Sequence, residues 1–169
     1  VTVFLFWSLL LDPYDNQFDA DYVGSEVCAE CHTQIYPEWE RSPHANMTRD
    51  PSPLSVVGNF DGGQWMLPPE ARRSLNDDQP AARMYTEDGK YYMALRHPVS
   101  NEYIPFEIAH VIGYQYRQVY VTREPGGVLR RLPLQWSTYL QDYFSYWNLQ
   151  EDSIPTLEDL WAQMSSMNS

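Results

Sequence analysis

Cys28, Cys31 and His32 are the residues of this chain whose types and spacing most clearly predict chemistry. Two thiols three positions apart, followed directly by an imidazole, form the C-x-x-C-H pattern by which a c-type haem is attached. The two sulfurs can each bond one vinyl group of the porphyrin, and the histidine can ligate the iron as its proximal ligand. The pattern therefore predicts one covalently bound haem c.

A C-x-x-C pair taken without its histidine has three other interpretations: a redox dithiol, half of a zinc site and a short disulfide loop. These two cysteines are the only ones in the 169 residues. A thioredoxin-like dithiol follows a strand of a βαβ unit, which this stretch does not, and a zinc site needs two more soft ligands that have no obvious source here. The haem interpretation is favoured over all three.

The opposite face of the iron has three candidate ligands: His44, His110 and Met47. His44 lies one short loop beyond the haem motif, and the Ser-Pro pair before it favours a turn that can bring the imidazole back over the haem. Met47 would give a His/Met haem of higher potential. His110 lies in an apolar strand, where a histidine more often simply makes hydrogen bonds, and His97 is predicted to be exposed in a loop. His44 is favoured, with an open position as a further alternative.

The charge of the chain excludes one class of partner. Its formal net charge of -12 argues against nucleic acid, whose phosphates require lysine and arginine. Eight carboxylates and no lysine or arginine lie between Asp12 and Glu40. This stretch is either a solvated acidic face or a docking surface for a basic redox partner. The aromatic content of 15% suits the walls of a flat, apolar macrocycle.

The N-terminal segment indicates a membrane. Residues 1–11 are uncharged and apolar, but they are too few to span a bilayer and lack the features of a complete signal peptide. We interpret them as the outer end of a membrane anchor, with a buried strand or an apolar arm on a partner as the alternative. Residues 12–21 form an acidic linker. Because haem is attached to this motif outside the cytoplasm, we expect a periplasmic or otherwise extracytoplasmic protein tethered to the membrane.

The remaining residues, 22–169, are predicted to form one haem domain of the α+β class. Its haem segment, 22–50, begins with a helix that Ser25 caps and that ends near Tyr36, because Pro37 removes a backbone donor. Val27, Cys31, Ile35 and Trp39 recur at i, i+4 spacing, which predicts an inward face. Residues 51–147 form a β-hairpin-rich insert, and residues 148–169 hold an amphipathic helix and a tail.

Local signals place the elements of that insert and of the helix. The Asp88-Gly89 pair between two alternating runs predicts a hairpin, and the turn Glu124 to Gly127 predicts a second one. Residues 50–69 are predicted to be loop, 103–112 to be β-rich, and 135–147 to be a helix or an irregular aromatic wrap. Thr156 is predicted to cap the C-terminal helix, with Glu158 and Asp159 in its first turn.

The first haem segment resembles that of the multihaem c-type cytochromes. The resemblance is carried by Tyr22-Val23-Gly24-Ser25, Cys28-Cys31-His32, Tyr36, Trp39, Ser42 and His44-Ala45. Weaker similarity continues through the β-rich insert to about residue 147, in Gly58-Asn59-Phe60-Asp61-Gly62, Asp88-Gly89-Lys90-Tyr91-Tyr92, Val111-Ile112-Gly113, Gln118, Tyr120, Leu132-Pro133-Leu134 and Trp136. The resemblance implies electron transfer outside the cytoplasm and favours His44 as an iron ligand, to this haem or to a neighbouring one.

The chain departs from that family in one respect, because it has no second C-x-x-C-H motif. We therefore expect either a single-haem member or a chain whose electron path continues in partner subunits. The predicted function is a non-enzymatic, membrane-associated relay whose partners are other redox proteins or subunits of a membrane electron-transfer complex. The alternatives are a structural accessory subunit of such a complex and a haem protein whose open iron position binds a small ligand.

Overall fold

The computed structural model describes residues 23–72, 74, 77–145 and 156–164. The chain divides into two compact units, Val1–Ser42 and Pro43–Ser169. The predicted haem segment, 22–50, crosses the boundary between them. The predicted membrane anchor (1–11) and acidic linker (12–21) lie outside the described residues, and no helix in the described part of the chain is long and apolar enough to cross a membrane.

The described part of the first unit, residues 23–42, contains two short helices, α1 (Val27–Cys31) and α2 (Tyr36–Glu40). The prediction that one helix continues to Tyr36 and ends at Pro37 is wrong, because α1 ends at Cys31 and Pro37 lies in the first turn of α2. Proline is tolerated there, since the first backbone N–H groups of a helix have no intrahelical partner. The N-cap of α1 is Glu26 rather than Ser25, and its side chain makes no capping hydrogen bond.

The second unit contains two antiparallel sheets. One has five strands in the order β1-β6-β7-β8-β9, and the other has four in the order β2-β3-β4-β5. The strands are β1 Thr48–Arg49, β2 Gly63–Trp65, β3 Ala82–Glu87, β4 Lys90–Arg96, β5 Tyr103–Glu107, β6 His110–Ile112, β7 Arg117–Arg123, β8 Leu129–Ser137 and β9 Asp142–Ser145. A single 3-10 turn, Pro69–Ala71, follows β2 among the described residues.

Both sheets contribute to one hydrophobic core. Alternate residues of β3 and β4 face inward from the four-stranded sheet, and residues of β7, β8 and β9 meet them from the five-stranded sheet. The cluster includes Met84, Met93, Leu95, Tyr120, Leu132, Leu134, Trp136 and Tyr143, all of them buried. The second unit is therefore a two-layer sandwich in which burial of the two inner faces supplies the main driving force for folding.

The first predicted hairpin is confirmed. Strands β3 and β4 pair from Ala82 with Leu95 to Glu87 with Lys90, and only Asp88 and Gly89 lie between them. Both turn residues have positive φ, 50° and 76°, which is the conformation of a type I′ turn. Aspartate and glycine are among the residues that adopt it at least cost, and this explains why a dipeptide alone predicted the turn.

The second predicted hairpin is confirmed as β7 and β8, with a turn in which Gly127 N–H donates to the Glu124 carbonyl at 3.0 Å. The prediction of a helix or an irregular wrap over 135–147 is wrong where the structure describes it. Strand β8 continues to Ser137 and β9 follows at Asp142, because β7 and β9 pair with β8 on its two sides. Strands β1 and β2, in the region around the predicted loop, were not expected.

The C-terminal helix, α3, spans Leu157–Ala162 and confirms the predicted cap. The Thr156 side chain accepts a hydrogen bond from the Asp159 N–H, and the Asp159 carboxylate accepts one from the Thr156 N–H, which makes a capping box. Leu157 and Leu160 are buried in the core. The Trp161 indole N–H donates to the Arg96 carbonyl at 2.9 Å, so α3 is bound to the end of β4.

A buried ion pair lies at that same end of β4. Arg96 is only 3% exposed, and its two terminal nitrogens donate to the two carboxylate oxygens of Asp77 at 2.6 and 2.9 Å. The geometry is bidentate, which is the strongest arrangement of this pair. Removal of the carboxylate would leave a guanidinium that is out of water and without its anionic partner.

We expect Asp77→Asn to lower the free energy of unfolding by about 3 kcal/mol, because a buried cation then lacks its counter-charge. Urea unfolding monitored by tryptophan fluorescence would measure the change. Glu107→Gln is the matched control, since Lys90 and Glu107 form an ion pair at 2.9 Å on the exposed face of the same sheet. It should leave stability almost unchanged. Equal losses in the two variants would contradict the assignment of the Arg96 pair as a structural element.

Two buried tyrosines give the second unit a dependence on alkaline pH. Burial is the first cause that raises the pKa of both Tyr120 and Tyr143 well above the ordinary value of 10.0. The native state therefore keeps both phenols protonated at a pH where the unfolded chain releases these protons. The corresponding stability is complete below pH 10 and is lost as the pH rises above it.

The free energy of unfolding should therefore fall progressively above pH 10, as measured by urea midpoints at a series of pH values. Tyr143→Phe should flatten this dependence, because one of the two retained protons is then absent from both states. Tyr139→Phe, which removes an exposed phenol, is the control and should keep the full slope. An unchanged slope in Tyr143→Phe would contradict the prediction.

Candidate functional site

The two cysteines lie on α1. Both are exposed and neither forms a disulfide, and their i, i+3 spacing on a helix places them on neighbouring positions of one face. The thiols are thus open to a reagent or a ligand that approaches α1 from solvent. This geometry suits a bond from each sulfur to one flat molecule that lies along the helix.

His32 connects the two helices through its backbone. Its N–H donates to the Cys28 carbonyl at 2.9 Å and closes α1, and its carbonyl accepts the Tyr36 N–H at 2.8 Å, just where α2 begins. The side chain is exposed, and its ring makes no hydrogen bond to any part of the chain that the structure describes. The imidazole is therefore held in place at its backbone while both ring nitrogens stay open to a ligand.

A groove of about 340 Å³ lies against this motif. It is lined by Ser25, Cys28, His32, Ile35, Tyr36 and Trp39. The Tyr36 and Trp39 rings lie 5.5 Å apart at 41°, so the far wall of the groove is aromatic. The volume lies in the range of pockets that bind organic cofactors and other small molecules.

The lining of the groove corrects one expectation. The i, i+4 stripe of Val27, Ile35 and Trp39 was predicted to face inward, but all three side chains are exposed, Ile35 at 67% and Trp39 at 43%. Neither α1 nor α2 has a buried residue. Cys31, the fourth member of the predicted stripe, is exposed as well, so the prediction of an inward face is wrong. Ile35 and Trp39 instead line the open groove.

These residues fit a c-type haem. A thiol and an imidazole lie on one groove, the second thiol lies on the same helix face, and the remaining wall is apolar and aromatic. Such a wall suits a macrocycle that is flat and largely apolar. Ile35 and Trp39 were not predicted to line a groove, because their spacing is also typical of a core-facing helix, and Tyr36 lies beside that stripe.

The predicted ligands His44 and Met47 belong to the second unit. His44 is exposed in a turn where its carbonyl accepts the Met47 N–H at 3.5 Å. Its ring has no hydrogen bond within the described residues. Met47 is half exposed, and its carbonyl accepts the Gly113 N–H at 2.8 Å, beside the pairing of β1 with β6. The positions of His44 and Met47 do not test which of the two side chains would ligate an iron. The choice of His44 as that ligand stays a prediction.

His110 already has partners at both ring nitrogens. Its Nδ1 lies 3.2 Å from an Asp50 carboxylate oxygen, and its Nε2 lies 3.0 Å from an Arg123 terminal nitrogen. The arginine nitrogen can only donate, so Nε2 of His110 accepts this hydrogen bond. The ring proton is then on Nδ1, which donates a hydrogen bond to the Asp50 carboxylate. The apolar strand around His110 predicted a histidine that makes hydrogen bonds, and the structure shows one. His97 is half-buried against Trp161 rather than exposed, with ring centroids 5.0 Å apart.

Four carboxylates of the predicted acidic stretch lie in the described part of the first unit: Glu26, Glu30, Glu38 and Glu40. All four are exposed on or beside the two helices that carry the groove. No group of three or more His, Cys, Asp or Glu side chains among the described residues is placed to hold a metal ion.

Comparison of the chain with protein-family models, with curated proteins and with solved structures found no match.

The exposure of both thiols generates a prediction about the chain in the absence of a ligand. We expect two cysteines to react with a soluble maleimide under native conditions, at rates within about tenfold of those in urea, since neither thiol is shielded. Intact mass after timed quenching would count the adducts. Cys28→Ser and Cys31→Ser each remove one adduct and serve as controls. A thiol that reacts only after unfolding would contradict the open groove.

Proposed function

We propose that this chain is a membrane-associated, extracytoplasmic c-type cytochrome subunit that relays electrons through one covalently bound haem. The observation that carries the proposal is the groove in which Cys28 and His32 share a wall with Ile35, Tyr36 and Trp39. A C-x-x-C-H motif on a helix is common to haem attachment, and an adjoining open apolar groove gives the macrocycle its place.

The motif and the apolar wall of the groove have separate parts in this proposal. Cys28 and Cys31 would hold the porphyrin by thioether bonds, and His32 would ligate the iron from a backbone that both helices fix. Ile35, Tyr36 and Trp39 would exclude water from one side, which favours a defined potential. When bound, the haem supplies a one-electron couple at its iron.

We assign the sixth ligand to His44. Its exposed ring has no hydrogen bond within the described residues, whereas the His110 ring is engaged by Asp50 and Arg123. Ligation by His110 would have to displace the Arg123 donor from Nε2. A bis-histidine iron would be six-coordinate and would transfer electrons without binding a small ligand.

The exposed carboxylates on and beside α1 and α2 suit a docking surface for a basic redox partner. Complementary charge raises the rate of encounter and orients the two proteins. Because the chain has one haem motif, the partner must accept or supply each electron. The predicted partners are accordingly other subunits of a membrane electron-transfer complex, with residues 1–11 as the membrane attachment.

The decisive experiment is an optical spectrum of the chain purified from a host that matures c-type cytochromes. We expect a c-type spectrum after dithionite reduction that carbon monoxide does not change, and a mass increase of one haem that survives denaturation. Cys28→Ala/Cys31→Ala should abolish the covalent mass increase. Absence of haem in the parent would leave a structural accessory subunit, and a carbon monoxide shift in the parent would indicate an open iron position.

The sixth-ligand assignment is tested on the same material. His44→Ala should open the iron, so that the reduced spectrum shifts with carbon monoxide, because a ligand is lost from one face. His97→Ala is the matched control and should leave the spectrum unchanged. The His97 ring packs on Trp161, and its Nδ1 accepts hydrogen bonds from backbone N–H groups of its own loop. A spectrum of His44→Ala that carbon monoxide does not change would contradict the assignment.

A further inference from the structure

One end of the five-stranded sheet carries a cluster of exposed apolar side chains. Three segments meet there: the residues before β1, the β6–β7 turn and the β8–β9 turn. We call their exposed side chains the aromatic tip, which consists of Met47, Tyr114, Tyr116, Tyr139 and Leu140. Tyr139 is 91% exposed and Leu140 is 64% exposed, so the tip projects into solvent.

The backbone beneath the tip is closed by hydrogen bonds. Thr138 joins two of the turns, since its N–H donates to the Tyr116 carbonyl at 3.1 Å and its hydroxyl lies 2.7 Å from the Gln115 carbonyl. The Leu140 N–H donates to the Ser137 hydroxyl at 3.1 Å. These hydrogen bonds fix the turns of the tip and occupy several of their backbone polar groups. Fewer unpaired polar groups therefore have to leave water when the tip enters an apolar layer.

The charge at the tip differs from that of the rest of the chain. The Arg49 guanidinium lies over the Tyr114 ring at 4.9 Å, and Arg117 is exposed at the start of β7. Two carboxylates lie beside these arginines among the described residues: Asp142, whose Oδ1 accepts the Tyr143 N–H at 2.7 Å, and Asp50, which lies 3.2 Å from the His110 Nδ1. Two arginines beside two engaged carboxylates leave this end near neutral, in contrast with a net charge of -12 for the whole chain.

This combination favours a phospholipid surface over a protein partner. Tyrosine places its ring among acyl chains and its hydroxyl among headgroups, and arginine can pair with lipid phosphates while its stem stays apolar. The side chains project from turns, and such a projection suits insertion into a soft interface.

We propose that the aromatic tip inserts into the headgroup layer of a phospholipid bilayer and forms a membrane contact separate from residues 1–11. Tyr139 and Leu140 enter the layer, and Arg49 and Arg117 contact lipid phosphates around them. The contact fixes the orientation of the sandwich relative to the membrane plane. It does not involve Cys28, Cys31 or His32, since every residue of the tip belongs to the second unit.

Hydrogen–deuterium exchange of the full chain, with and without phosphatidylcholine vesicles, localises the contact. We expect amides of residues 114–116 and 138–141 to exchange about tenfold more slowly with vesicles, because insertion excludes water from these turns. Tyr139→Ser/Leu140→Ser should abolish that slowing and lower binding to vesicles at limiting lipid about tenfold. Leu54→Ser/Val99→Ser, which replaces two exposed apolar residues of other loops, is the matched control and should keep both effects.

The two membrane contacts are separated by this design. Binding through residues 1–11 alone would give vesicle flotation without slower exchange at the tip, and that result overturns the proposal. Equal exchange rates with and without vesicles overturn it whatever the bound fraction. Slower exchange that appears with protein concentration and without lipid would assign the tip to a second copy of the chain, and would overturn it as well. Loss of haem in any variant would bear on the proposed cytochrome function and leave this test unaffected.

Discussion

Edge-on packing around Phe60 is the interaction on which the second unit depends. This ring comes from the segment before β2, and it meets Tyr120 at 5.1 Å and Tyr143 at 6.3 Å, both from the five-stranded sheet. Because the rings of each pair approach edge to face, the positive rim of one ring meets the negative face of the other. The segment is held close by Gly58, where any Cβ would collide with the Tyr120 hydroxyl. The two sheets thus share an aromatic centre that admits little change in volume.

The described part of the first unit, residues 23–42, is built on the opposite principle. Its helices α1 and α2 have five residues each and no buried side chain between them. Helices so short are marginal in water, since the entropy of nucleation outweighs the few hydrogen bonds they form. Under the proposed function the porphyrin supplies what is missing: an apolar surface for the aromatic wall and two covalent links to α1. The free energy of unfolding of this unit would then depend on whether haem is attached to it.

The sequence predicts an element well when residues close in sequence determine it, and poorly when residues far apart in sequence do. The Asp88-Gly89 turn and the Thr156 cap are decided by two to four neighbouring residues, and both were predicted correctly. Strand β8 extends to Ser137 because β7 and β9 lie on its two sides, which no local pattern records. Pro37 was misplaced for a related reason, since the same residue ends one helix and begins another according to where the first turn falls.

The candidate site likewise has a part that the sequence predicts and a part that it does not. The cysteine pair and its histidine carry their chemistry in their spacing, so the motif could be recognised without a fold. The groove wall could not, because an apolar stripe has the same period whether a core or a cofactor covers it. The partners of the His110 ring come from positions 50 and 123, far apart in sequence, and became visible only once β1, β6 and β7 were paired.

The backbone of His32 has a mechanical consequence. Since its N–H terminates α1 and its carbonyl receives the first amide of α2, the imidazole lies at the pivot between the helices. Rotation of α2 about this pivot would move the aromatic wall relative to the His32 imidazole. Under the proposed function, a partner that docks against the exposed carboxylates of α2 would therefore act on the haem through this helix. Docking and reduction potential would be coupled through the main chain, without a separate relay of side chains.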